Sequence, residues 1–290
     1  MNLNIALKLG RVSNLPTVWT NMMAAIVLVG GSVTDIRTLP IIVALSLFYI
    51  GGMFLNDAFD ADIDALERPE RPIPSGQISK DVVFLLGFGM LAVGLMLLIW
   101  AGRSFPGSTG IWPVIGGLGL AVTIVAYNRH HKGNPISPII MGLCRVFVYI
   151  TTALCFVPVL GLPILIGSAL ILAYLIGLTY IAKQENLGHV KNLWPLLFLG
   201  APIVFGGVIA SDDPVVLPFL GLFTLWVLVA LYFVKRRGPG DIPRAVVSLI
   251  AGICLLDAIL IASTGQPMLA VVAVGGFALT LIFQKFVSGT

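Results

Sequence analysis

The chain has 290 residues, 58% of them hydrophobic and only 10% charged, with a formal net charge of +4. That composition excludes an ordinary soluble domain, in which about a quarter of residues are charged. The surplus positive charge sits in short loops between apolar runs, so it marks membrane topology and implies no nucleic-acid partner.

Apolar runs of roughly 17–25 residues read as membrane spans. They predict an all-α, polytopic transmembrane helix bundle with spans near 14–33, 39–56, 81–101, 111–128, 137–157, 161–182, 194–210, 214–234, 244–263 and 266–286. Alternate loops then collect fourteen of the seventeen Lys and Arg residues on one side. Arg37 and Arg103 fall opposite, and Arg145 lies inside a span. The positive-inside rule puts both termini on the cytoplasmic side, as for a multi-pass protein of a bacterial inner membrane. The first run continues as a span and has no small-residue cleavage site before Asn14, so it does not read as a cleaved signal peptide. Cys144, Cys155 and Cys254 lie in apolar runs without metal-ligand spacing and read as packing residues.

Ahead of the first span, Arg11 reads as a positive-side anchor and Trp19 as an interfacial aromatic. The second span delivers the most informative stretch. Six of the thirteen acidic residues lie between Asp57 and Glu70, directly after an apolar run, where burying a core requires none of them. With about 100° of rotation per residue, Asp60, Asp64 and Asp57 fall about 40°, 80° and 100° from Asn56, and Asp62 falls on the other side. Carboxylates so placed repel one another, more strongly where a helix leaves a membrane. Oxygen-only ligands suit a hard divalent cation such as Mg²⁺, which shares its remaining positions with water and phosphate oxygens.

Prolines at 69, 72 and 74 stop the helix and stiffen the loop behind it. The loop carries Arg68 and Arg71, whose guanidinium groups suit bidentate phosphate binding; Ser79 is placed to cap the next helix. The fourth span ends in a second basic cluster, Tyr127-Asn128-Arg129-His130-His131-Lys132. Its adjacent histidines diverge by about 100° on a helix and predict no zinc site. Arg145 within the fifth span needs a partner or a water-filled cavity. The acidic cluster, a bound diphosphate and Asp257 are the partners open to it.

The sequence Asn56-Asp57-x-x-Asp60-x-x-x-Asp64 followed by Arg71-Pro72-Ile73-Pro74-Ser75-Gly76 resembles the UbiA superfamily of intramembrane prenyltransferases. The form Glu67-Arg68-Pro69-Glu70-Arg71-Pro72 is most similar to the EboC-type branch. The resemblance implies one UbiA-like domain over residues 1–290 with nine spans, one fewer than the hydropathy count. The first acidic motif then lies on a cytoplasmic loop, 57–80, and a second, degraded one lies in 183–192. It further implies Mg²⁺ held by Asn56, Asp57, Asp60, Asp64 and Glu185, with Asp57, Asp60 and Asp64 catalytic. Diphosphate binding falls to Arg68, Arg71, Tyr127, Arg129, Lys132, Arg145 and Lys183, and acceptor binding to Arg11, Asn14 and Asn21. Family members usually carry several aspartates in the second motif, where this chain offers only Glu185 beside Lys183. The implied activity is Mg²⁺-dependent transfer of a polyprenyl group from its diphosphate to an aromatic, quinone-like or other lipophilic acceptor within the lipid. Hydrolysis or cyclisation of the diphosphate, and lipid handling or transport without chemistry, are the rival readings.

Overall fold

The computed structural model describes residues 2–184, 192–287 and 289. Among them are eleven α-helices and no strand: α1 (Leu3–Leu9), α2 (Leu15–Leu28), α3 (Thr38–Glu67), α4 (Lys80–Arg103), α5 (Trp112–His130), α6 (Ser137–Leu154), α7 (Leu162–Ala182), α8 (Ala201–Asp212), α9 (Leu217–Arg236), α10 (Asp241–Ala262) and α11 (Pro267–Gln284). Each of the ten predicted spans is helical. Eight of the helical segments are long and apolar enough to cross a membrane, α8 together with the 3₁₀ turn Trp194–Gly200 before it. The first span is shorter than the sequence suggested. Gly30, at φ 73°, ends α2, and the Gly31 amide bonds back to the Ile26 carbonyl at 2.9 Å, the glycine-terminated arrangement that satisfies the last carbonyls. α5 is 19 residues long, but its final turn, Tyr127-Asn128-Arg129-His130, is polar. The short helix α1 was not foreseen.

The apolar faces build two main clusters of buried side chains. One joins α7, α9, α10 and α11; the other joins α3, α4 and α5. α2 and α6 belong to both. Ala24, Ala25 and Val27 of α2 face the first cluster, while Val18, Met22 and Ile26 face the second. α10 is the central helix of its half, with 83% of its apolar window buried against 17% for α11, and it packs on α2, α7, α9 and α11. Trp19, expected at the interface, is drawn inward and donates its indole N–H to Ser46 Oγ at 3.0 Å.

Two features place the acidic stretch. At 1.5 Å per residue, the 30-residue α3 is about 45 Å long, more than the roughly 30 Å of a hydrocarbon layer. Its last turns therefore extend past the apolar zone. The Arg68-Pro69 junction then ends it, and Ser79 Oγ accepts from the Val82 amide to start α4. The α3–α4 hairpin closes on backbone: a Cβ added at Gly51 would sit 2.9 Å from the Gly87 carbonyl oxygen. Gly51→Val should accordingly destabilise the protein by about 1–3 kcal/mol. Gly207→Val, which meets nothing within 4 Å, should not. Thermal unfolding in one detergent compares the two, and equal midpoints would refute the packing argument.

Candidate functional site

At the motif end of α3, the helix turns predicted from the sequence form, and they face an internal cavity of about 470 Å³. Asn56, Asp60 and Asp64, one turn apart, line it and are nearly inaccessible to solvent. Asp62 points away, exposed, and pairs with Lys80 at 2.9 Å. Asp57 departs from the expected common face. It is buried but lies outside the cavity wall, because its Oδ1 is held by both Arg11 Nη2 at 3.2 Å and Arg71 Nη1 at 3.4 Å. It therefore ties the two arginines together.

The cations come from separate segments. Arg71, in the proline-stiffened loop, donates from the same Nη1 to Asp64 Oδ2 at 2.7 Å. Arg11 also reaches Asn56 Oδ1 at 3.2 Å. Its backbone takes the left-handed conformation, φ 41°, at a cost of roughly 1–2 kcal/mol. The two side-chain bonds to α3 and the Tyr49 hydroxyl, which donates to the Arg11 carbonyl at 3.3 Å, hold it there. Arg68 lines the cavity, and Lys132 stands 3.9 Å from Glu67. Lys183, at the end of α7, also lines it and donates to the Asn134 carbonyl. Partial burial holds its ammonium below the ordinary lysine value.

Several predicted residues fall elsewhere. Arg129 is exposed and outside the cavity wall, since Asn128, one residue earlier, takes the inward direction. Asn21 is fully buried outside the wall, its amide spent on Asp257 and Arg145. Asn14 does line the cavity, but donates to the Gly289 carbonyl at 2.9 Å and accepts from Gln284 at 3.0 Å. Arg145 lines the cavity and does not touch Asp257 directly, donating to Asn21 and Thr17. Tyr127 is on the wall. Glu185, and with it most of the second motif, lies outside the described residues.

Two residues of the second basic cluster, which the sequence reading set opposite the acidic motif without giving them a role, stand at the site. Asn128 accepts from Asn56 Nδ2 at 3.2 Å and donates to the Gly52 carbonyl at 2.9 Å, fastening α5 to α3. A polar side chain in the last turn of an apolar helix was the available signal. His131 stands with Nε2 3.3 Å from Asp60 Oδ2, its ring stacked on Tyr127 at 5.0 Å. Only the fold brings α5 and α3 together there.

The donor set fits a hard divalent cation: Asn56, Asp60 and Asp64 offer only oxygen and open on one cavity. Among the described residues no three His, Cys, Asp or Glu side chains gather closely enough to hold a metal alone. A cation there would complete its shell with water and phosphate oxygens. Arg71→Met removes the cation shared by Asp57 and Asp64, so it should cost about 2 kcal/mol in metal-free buffer. Adding Mg²⁺ should narrow that deficit. A deficit that Mg²⁺ leaves unchanged in thermal unfolding would argue against cation binding at these carboxylates.

Sequence comparison matches residues 17–149 to the UbiA prenyltransferase family. The chain is 30% identical over 131 residues to digeranylgeranylglyceryl phosphate synthase of Methanopyrus kandleri, covering 41% of this chain and 43% of that protein. It is 50% identical over 56 residues to chloroplastic chlorophyll synthase of Avena sativa, covering 18% and 15%. The matched stretches thus span less than half the length of these curated relatives. A solved structure of a UbiA homologue from Archaeoglobus fulgidus bound to GPP and Mg²⁺ superposes over 95% of this chain and 99% of that one, with a TM-score of 0.55 and 15% identity. That likeness is one of fold.

Proposed function

The chain belongs to the UbiA prenyltransferase family, and we propose that it transfers a polyprenyl group from an allylic polyprenyl diphosphate to a lipophilic acceptor, with Mg²⁺. The observation that carries this reading is a single cavity with two kinds of lining. Asp60, Asp64, Arg68, Arg71 and Lys183 line it, and so do Leu45, Phe48, Val148, Ile250 and Ile253, with Arg145 and Asn14 also on the wall.

Asn56, Asp60 and Asp64 would hold the cation, and Mg²⁺ bound there supplies electrostatic neutralisation of the charge that grows on the leaving diphosphate. Arg68, Arg71 and Lys183 line the same cavity and would offer two guanidinium forks and an ammonium to the diphosphate oxygens. Arg11 and Asp57 hold Arg71 and the start of the motif in register. The apolar walls offer the prenyl chain a water-poor site, which an allylic cation needs in order to meet an acceptor before it meets water. The Lys/Arg-rich loops support an orientation with the acidic end of α3 on the cytoplasmic side of a bacterial-type inner membrane.

The test is diphosphate release from geranylgeranyl diphosphate by the purified protein, with and without Mg²⁺ and with and without a lipid and quinone extract, followed by mass spectrometry of the organic phase. Release that needs both metal and extract is the expected result. Release with metal alone would favour hydrolysis or cyclisation, and binding without release would favour lipid handling. Asp60→Asn and Asp64→Asn should each lower Mg²⁺-dependent release by about 100-fold or more, whereas Asp62→Asn should leave it near wild type; equal activity of all three would remove the metal assignment. Lys183→Ala should weaken diphosphate binding by about tenfold, one charge-assisted contact, and an unchanged affinity would take Lys183 out of the site.

A further inference from the structure

The turn between α9 and α10 gathers charge that the cavity does not use. Lys235, Arg236 and Arg237 end α9, and Arg244 lies in the first turn of α10. Lys285 follows α11, whose last residue, Gln284, donates to the Val247 carbonyl of α10 at 3.4 Å. Against these five cations, residues 235–290 hold two carboxylates, Asp241 and Asp257, and Asp257 lies about 24 Å further along α10 at 1.5 Å per residue. Asp241 is fully buried and already occupied. Both of its oxygens accept N–H groups of Arg236, and Oδ2 also accepts the Gly238 amide at 2.8 Å. Arg244 is left 3.5 Å from Oδ1 with its side chain 61% exposed. Lys235, Arg237 and Lys285 are exposed and make no ion pair among the described residues. Arg237 takes the left-handed conformation, φ 58°, where glycine is the residue that costs least. A guanidinium stands there against the backbone's own preference.

Behind this rim, α9 and α10 leave a groove of about 540 Å³. Trp226, Val229 and Phe233, on one face of α9, form one wall, and Arg244, Val247 and Ser248 form the other. The Trp226 indole N–H donates to the Ser248 carbonyl at 2.7 Å and sets the two walls level. The groove therefore runs inward from Arg244 to Ser248, one helical turn or about 6 Å. Its lining is apolar apart from those two residues. A free phosphate would satisfy the cations and leave the apolar length empty. A neutral lipid would fill the groove and leave the cations without a counter-charge. A phospholipid of net negative charge does both, with its phosphate at Arg244, its ester oxygens level with Ser248 and an acyl chain against Trp226 and Val229.

We propose that the α9–α10 groove is a binding site for one anionic phospholipid of the leaflet that borders this turn. Arg244 and Arg237 read the head group, and the groove holds the chain. Val246, Ile250 and Ile253, on another face of α10, line the internal cavity, so the lipid steadies from outside a helix that shapes the cavity from within.

The experiment counts dioleoylphosphatidylglycerol and dioleoylphosphatidylcholine bound to the full-length protein in detergent by native mass spectrometry, with thermal unfolding followed in the same samples. Wild type should bind the anionic lipid about tenfold more tightly. Arg244→Gln should lower that preference to about twofold or less, whereas Arg103→Gln, an exposed arginine at the other end of α4, should leave it unchanged. Arg237→Gly should also lower it without lowering the lipid-free unfolding midpoint, because glycine suits φ 58°; lost binding is thereby separated from lost folding. Arg236 is kept in every variant, since removing it would strand the buried Asp241. Val229→Trp, which fills the groove, should weaken binding of both lipids. Glycerol 3-phosphate, a head group without acyl chains, should not displace the anionic lipid at equal concentration. Equal affinity for the two lipids in wild type would overturn the proposal, as would a preference that survives Arg244→Gln combined with Arg237→Gly. Displacement by glycerol 3-phosphate would also overturn it, because the site would then be an anion site of the turn alone.

Discussion

Three carboxylates within two turns, at the C-terminal end of a long helix, set the constraint on which the rest of the site depends. They repel one another, and the partial negative charge of the helix terminus opposes Asp64, in the last turn of α3. α3 nevertheless ends there in regular geometry, because polar side chains from three other segments, two of them arginines, converge on it. Arg11 arrives from the N-terminal segment, Arg71 from the loop that follows, and His131 approaches Asp60 from the end of α5. Charge compensation and tertiary structure are thus linked: Asp57 takes its second guanidinium from the N-terminal segment, and Asp60 meets His131 only once α5 is docked on α3.

That arrangement divides the nine-residue motif between residues on the cavity wall and one held by arginines. Asp57 is the shared anchor of two guanidinium groups, turned out of the cavity, while Asn56, Asp60 and Asp64 face into it. Asn128, on the cavity wall, fastens α5 to α3 by a side-chain bond with Asn56 and a bond to the Gly52 carbonyl. A cavity lined by both charged and apolar side chains follows from where α3 outruns the hydrocarbon layer.

The second buried polar network, around Asp257, has a different logic. A carboxylate on the most enclosed helix is a costly choice for stability alone, because apolar residues of similar volume would fill the space as well. Here four hydrogen bonds from Thr20, Asn21 and Tyr149 satisfy it. The network crosses the seam at which α2 and α6 serve both apolar clusters, so it also fixes how the two halves of the bundle meet beside the cavity.

The membrane class, the helix positions and the oxygen-rich face of α3 were legible from the sequence, because each is a local property. Twenty apolar residues need a bilayer, prolines stop helices, and residues four apart share a side. The motif was legible for the same reason, as was the outward turn of Asp62. What the sequence did not determine was every pairing between segments. Arg11 and Arg71 meet on Asp57, His131 meets Asp60, Trp19 turns inward to Ser46, and Arg145 reaches Asp257 only through Asn21. Side chains far apart along the chain have no fixed geometry until the helices pack, so the tertiary structure alone decided which polar residues of the motif face the cavity and which hold the bundle together.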